Sequence, residues 1–164
     1  MGLFISTFSN KVDRKGRISV PAAFRAAVEG SGFPGVVIYR SFTCEAIEGC
    51  GFDRMEEMAD RLETLEQFSD EYESLSGLFA DATQLAFDAE GRIMLPEVLR
   101  VHAGIGLEEN ARFVGRGRTF QIWNPAAHDA ADAASRQHLR RNRVTLPPLR
   151  PASAPAPAAK GAGA

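Results

Sequence analysis

Asp13-Arg14-Lys15-Gly16-Arg17-Ile18-Ser19-Val20-Pro21-Ala22-Ala23-Phe24-Arg25 returns 75 residues later as Asp88-Ala89-Glu90-Gly91-Arg92-Ile93-Met94-Leu95-Pro96-Glu97-Val98-Leu99-Arg100. Six of the 13 positions are identical and three more keep an apolar residue, which marks a duplicated structural unit. Each copy has a local physical reading. An apolar strand (4–12 or 83–87) leads into an Asp-x-x-Gly turn, where Asp bonds its own downstream backbone and Gly takes positive φ. A short strand follows at 17–20 or 92–95. Pro21 and Pro96 stand where a helix begins, since a missing N–H costs nothing there, and Gly30 and Gly104 stand where it ends.

Outward from this core, strand signals return at 36–39 and 44–47 in the first copy and at 111–114 and 120–123 in the second. The clearest hairpin turn is Gly115-Arg-Gly-Arg-Thr119. The unit is β-β-α-β-β, about 45 residues long, and alone it barely buries a core. The expectation is an α+β fold in which two tandem units, 4–50 and 79–125, pack together.

Between them, 51–76 reads as one amphipathic acidic helix. Asp53 is a candidate cap with Glu56 three residues on, and Met55, Met58, Ala59, Leu62, Leu65, Phe68 and Tyr72 recur every three or four positions. About 20 helical residues span roughly 30 Å, enough to link two modules. Core packing is the plain reading of the apolar stripe, and contact with a neighbouring subunit is the alternative. A final helix is expected over 126–146. Its Arg136, Arg140, Arg141 and Arg143 suit either the negative end of the helix dipole or a phosphate-binding arm. Residues 147–164 hold five Pro and seven Ala and should be disordered.

The whole chain has 164 residues, 45% of them hydrophobic, and a net charge of -2, which by itself points to no class of partner. The distribution is more telling. Residues 1–44, 45–73, 74–132 and 133–164 carry +4, -9, -3 and +6. Such blocks suit one face for an anionic polymer and another that repels it or meets a basic partner, although a solvated acidic helix beside a basic tail has the same pattern. Cys44 and Cys50 are too few for a disulfide framework or a zinc site. No apolar run reaches membrane-span length and the start lacks a signal-peptide pattern, so a cytoplasmic protein is expected. Gly2 and Ser6 match a loose myristoylation pattern, but Leu3, Phe4, Ile5 and Phe8 equally make an apolar first strand.

Catalytic signals are weak. His102, His128 and His138 lie in no metal or nucleophile spacing and read as structural. Gly104/Gly106 and Gly115/Gly117 lack the third glycine of a dinucleotide loop and read as turns. No enzyme activity, cofactor, metal or small-molecule substrate is expected. What remains is the Asp-x-x-x-Arg turn. The first copy has Lys11, Arg14, Lys15 and Arg17 around Asp13, four cations in seven residues. Arg17 and Arg92 suit bidentate pairing with guanine or phosphate, and the lysines suit phosphate as point charges. Asp13 and Asp88, with Gly16 and Gly91, shape the turns and orient the arginines. The alternative is an internal Asp–Arg pair that only holds the turn, and it weighs more in the second copy, where Ala89 and Glu90 replace Arg14 and Lys15.

These residues resemble the MraZ family, built from two AbrB-like swapped-hairpin modules. The likeness runs through VDRKGRISVPAAFR, FDAEGRIMLPEVLRVHAGI and FVGRGRTFQIW with Asn124-Pro125, covering roughly residues 4–125 in order. It implies a bacterial transcriptional regulator, nucleoid-associated, that binds double-stranded DNA at repeated promoter boxes of the division and cell-wall gene cluster. It also implies self-association into a ring. The DNA-contacting turns would be 13–17 and 88–92. Two positions depart from the family pattern. The opening Gly2-Leu-Phe-Ile-Ser-Thr lacks a basic Phe-Arg-Gly-like element, and Asp81 stands where a small residue is expected, which shifts binding toward the first module. The rivals are an AbrB-like antitoxin and a small enzyme or assembly scaffold that binds no DNA.

Overall fold

The two copies of the repeat fold alike, and their strands pair with each other more often than within themselves. The computed structural model describes residues 2–149. Residues up to Ala131 gather into one compact unit and the chain from Asp132 forms a second. In order, the elements are β1 (Thr7–Lys11), β2 (Arg17–Ser19), α1 (Ala22–Ala27), β3 (Gly35–Arg40), β4 (Ile47–Cys50), α2 (Phe52–Leu62), α3 (Asp70–Asp81), β5 (Thr83–Ala86), β6 (Arg92–Met94), α4 (Glu97–Ala103), β7 (Asn110–Gly115), β8 (Phe120–Trp123) and α5 (Pro125–Asn142). The fold is α+β, with an antiparallel six-stranded sheet in the order β1-β7-β8-β4-β3-β5 and a two-stranded ribbon of β2 and β6.

Strand exchange follows from what each strand must bury. β1 pairs with β7 of the second copy, with Phe8 opposite Phe113, and β5 pairs with β3 of the first, with Leu85 opposite Val36. The ribbon register sets Ile18 opposite Ile93, Arg17 opposite Met94 and Ser19 opposite Arg92. That is the register of a local two-fold, since each residue and its copy 75 positions away swap places. The backbone follows suit, Val20 N donating to Gly91 O at 3.0 Å and Leu95 N to Gly16 O at 2.8 Å. Both isoleucines are buried, so by the two-residue period of a strand Arg17, Ser19, Arg92 and Met94 stand on the ribbon's outer face.

Between ribbon and sheet lies the main core, centred on Phe24, whose ring meets Phe4, Phe8, Phe113 and Phe120 at 5.2 to 6.1 Å between centroids. β3 is buried on both faces, which explains its unbroken apolar run. Val36 and Ile38 join the main core, while Val37 and Tyr39 pack under α2 and α3 with Cys50, Met55 and Leu78. A third cluster of Ala46, Val114 and Trp123 is covered by Ala127 and Ala131 of α5.

Several boundaries differ from the sequence reading. The single helix expected over 51–76 is two helices. Phe68 takes φ +70 and the Ser69 hydroxyl accepts from Tyr72 N at 3.1 Å, so the chain stops and is capped afresh inside an unbroken apolar spacing. Gly77 lies inside α3, and Asp53 sits in the first turn of α2 behind Gly51 instead of capping it. The first strand begins at Thr7 because Ser6 takes φ +78; Phe4 still reaches the core through a bridge to Gly117. The strand expected at 44–47 starts at Ile47, because residues 41–46 form a loop closed by Ser41 N donating to Ala46 O at 2.9 Å. Gly104 caps α4 in the left-handed conformation, whereas α1 ends at Ala27 and Gly30 turns the chain beyond it. The helix expected over 126–146 is capped by Asn124 and stops at Asn142, where Arg143 takes φ +46. The disorder expected over 147–164 falls mostly outside the described residues.

Candidate nucleic-acid interface

Both turns are built by one carboxylate. Asp13 Oδ1 accepts from Lys15 N at 2.9 Å and Arg17 N at 2.8 Å, and its Oδ2 accepts from Arg17 Nε at 2.7 Å. Asp88 repeats this with Glu90 N at 2.9 Å, Arg92 N at 2.9 Å and Arg92 Nε at 2.8 Å. Gly16 and Gly91 take φ +83 and +76, and each donates its N–H to the carbonyl of its own aspartate. A left-handed turn residue with no Cβ is what this loop requires. The backbone N–H of Arg17 holds the Asp13 carboxyl below its usual range, helped by the Arg17 side chain; Arg92 does the same to Asp88. Both carboxylates therefore stay ionised at neutral pH and keep their arginines oriented.

The ribbon brings the two turns together. Arg17 and Arg92 occupy diagonal positions on its outer face, which in an antiparallel pair lie roughly 8 Å apart. The Arg92 guanidinium is held above its usual value chiefly by its bond to Asp88, and Asp13 of the other turn adds to that.

They are not equal. In the first turn, Arg14 is 86% exposed and its Nε donates to Glu108 at 3.1 Å. Lys15 is exposed, and Lys11 ends β1 opposite Asn110, also exposed. In the second, Arg92 is bound by Glu90 as well as Asp88, so two carboxylates face one guanidinium. Asp81, the departure noted near the second module, lies elsewhere. It accepts from Arg40 N and Arg40 Nε, both at 2.8 Å, tying the end of α3 to the end of β3.

The structure adds residues that sequence reading passed over. Arg25 and Arg100 are an identical pair of the repeat, and each lies under the opposite turn. The Arg25 guanidinium fills the space where a Cβ on Gly91 would come within 2.6 Å, and its Nε donates to Val20 O at 3.2 Å; Arg100 approaches Gly16. Their identity in both copies was the available signal. Asn10 Nδ2 donates to Ser19 O at 2.7 Å and pins the ribbon to β1. The histidines stay apart from the turns. His128 packs on Trp123 and lies 3.0 Å from Arg112 Nη1, and His138 contacts Asn142. Cys50 is buried and its thiol is pushed up to about 12 by desolvation. Among the described residues no group of three His, Cys, Asp or Glu could hold a metal ion. No helix among them is long and apolar enough to cross a membrane.

Residues 78–143, which include the second turn, match the model of a family described as "MraZ protein, putative antitoxin-like". Proteins named "Transcriptional regulator MraZ" match far more. That of Pelagibacter ubique (strain HTCC1062) is 39% identical over 145 residues, 88% of this chain and 92% of its own length. That of Rickettsia canadensis (strain McKiel) is 41% identical over 147 residues, 89% of this chain and 97% of its own. The chain belongs to the MraZ family. A third MraZ relative, from Rickettsia rickettsii (strain Sheila Smith), is 42% identical over a similar span. A span of 145 residues or more in a chain of 164 takes in the acidic helices and the second turn.

Proposed function

We propose that this chain is a DNA-binding regulator of transcription, without enzymatic activity, that grips the duplex with the paired turns. In this reading residues 4–50 and 79–125 act as two AbrB-like swapped-hairpin modules. The observation that carries it is the placement of Arg17 and Arg92 on the outer face of one two-stranded ribbon, each held by its own aspartate. A major groove admits such a ribbon, and a guanidinium anchored through Nε, as Arg17 is, offers its terminal nitrogens to guanine O6 and N7, whereas Glu90 holds Nη2 of Arg92. Arg14, Lys15 and Lys11 flank the ribbon where phosphates run. The names of the relatives support the regulatory role. The operator is a set of repeated promoter boxes at the division and cell-wall gene cluster, read in the cytoplasm at the nucleoid by a ring of subunits.

Gel-shift titration on box-bearing and scrambled DNA tests this reading. Arg17→Ala should lose about 1–3 kcal/mol of preference for the box while leaving the assembly unchanged. Arg14→Ala or Lys15→Ala should weaken binding to all sequences and lower the salt slope by about one. Unchanged box affinity in Arg17→Ala overturns the proposal. The antitoxin wording of the family description supports a second reading, in which a small toxin co-purifies with the chain at fixed stoichiometry.

A further inference from the structure

The ribbon repeats its backbone about a local two-fold but not its side chains. Its outer face holds Arg17, Ser19, Arg92 and Met94, with Arg17 opposite Met94 and Ser19 opposite Arg92. Val20 N donates to Gly91 O and Leu95 N to Gly16 O, so the hydrogen-bonded pairs flank these two. Arg17–Met94 and Ser19–Arg92 are therefore non-hydrogen-bonded pairs, in which facing side chains stand closest, about 4.5–5.5 Å apart at Cβ. Each arginine thus has one immediate neighbour across the ribbon, a thioether for Arg17 and a hydroxyl for Arg92.

Met94 is the one apolar side chain among these four, and it is 51% exposed. Folding does not call for it. Ser19 occupies the same place in the first copy, 75 positions earlier, and the ribbon pairs there equally well. The Met94 sulfur lies over the first turn, where a Cβ on Gly16 would come within 3.6 Å of it, so the thioether stands beside the turn that carries Lys15 and Arg17. At the second turn a Cβ on Gly91 would meet the Arg25 guanidinium instead. An unbranched, polarisable side chain in that position adapts to an apolar group brought against it.

The major-groove edge of a base pair carries one methyl group, at C5 of thymine, beside donors and acceptors that a thioether would leave unpaired. We propose that Met94 is a specificity-determining residue, packing on the C5 methyl of a thymine in the base step next to the guanine met by Arg17. The inference rests on the DNA-binding function proposed above and names a base that the arginines do not read. Ser19, which donates and accepts hydrogen bonds, has no such preference for a methyl. The two ends of the ribbon therefore make different demands on the duplex.

Replacing thymine by deoxyuridine removes the methyl and nothing else. The full-length protein is titrated by gel shift against a box-bearing duplex and against copies in which each thymine of the box, on either strand, is deoxyuridine in turn. At one thymine the parent should lose about four-fold in affinity, the contribution of one buried methyl. Met94→Ser, which puts at 94 the residue type that the ribbon already accommodates at 19, should bind the two duplexes alike, whereas Met94→Leu should still tell them apart. Should no thymine matter to the parent, or should Met94→Ser keep the difference, the proposal is overturned. Box binding unaffected by Arg17→Ala would instead sink the DNA reading itself. Box preference that falls in Arg17→Ala while the parent ignores every deoxyuridine leaves that reading standing and removes only Met94.

Discussion

Asp13 and Asp88 do the same work to within 0.1 Å, so the difference between the two turns lies in the second and third residues, Arg14 and Lys15 against Ala89 and Glu90. Lys15 adds a cation beside Arg17. Glu90 binds Arg92 and cancels part of the charge that would meet a phosphate or a guanine edge. Because the pair is solvent-exposed, it is a weak surface ion pair that salt screens. On the proposed reading, Glu90→Gln should raise affinity for box DNA about two- to five-fold at low salt, and the gain should vanish in an Arg92→Ala background. A gel-shift series across salt concentrations checks this, and an equal gain without Arg92 would show that Glu90 acts only as a general negative charge. The contrast between Lys15 and Glu90 was legible in the aligned repeat. The crosswise seating of Arg25 and Arg100 was not, because it depends on a pairing between copies that local sequence does not specify.

At the scale of elements, β4 and β8 meet at the middle of the sheet, where Gly49 lies opposite Phe120. A Cβ on Gly49 would come within 2.2 Å of the Phe120 ring, itself fully buried against Phe4, Phe24 and Phe113. Overpacking of this kind costs about 1–3 kcal/mol. Gly49→Ala should lower the unfolding free energy by that margin, read as a lower urea midpoint at an unchanged m-value, whereas Gly77→Ala, on an open side of α3, should not. The repeat made β2, β6, α1 and α4 legible, since Pro, Gly and apolar spacing act within a few residues. The hinge at 63–69 was not, because Leu65, Phe68 and Tyr72 continue the helical spacing across it and only the Ser69 cap and the backbone of Phe68 break it. Nor was the exchange of β1 and β5. Two units too small to bury their own cores were expected to pack together, but the choice of partner strands is made by Phe8 on Phe113 and Ile18 on Ile93, residues far apart in sequence.

For the molecule as a whole, the blocks of charge acquire a geometry. The main core, to which the ribbon contributes Ile18 and Ile93, lies on one face of β3 through Val36 and Ile38, and the acidic α2–α3 hairpin covers the other through Val37 and Tyr39. The -9 block is thereby kept on the far side of the sheet from the proposed DNA face, and a near-neutral chain can still present a cationic surface. One such surface is small. Two turns neutralise a few phosphates, and at physiological salt that supports only weak binding. If subunits are linked, each further box engaged is an intramolecular event, and avidity can exceed the single-site affinity by about 10²–10⁴. DNA with two boxes in phase should therefore bind at least 100-fold more tightly than DNA with one. Inserting half a helical turn, about 5 base pairs, between the boxes should remove most of that gain, because the second ribbon then faces away from its groove. Equal affinity for one box and two would mean that each chain reads DNA alone, and the paired turns of a single ribbon would have to supply all of the specificity.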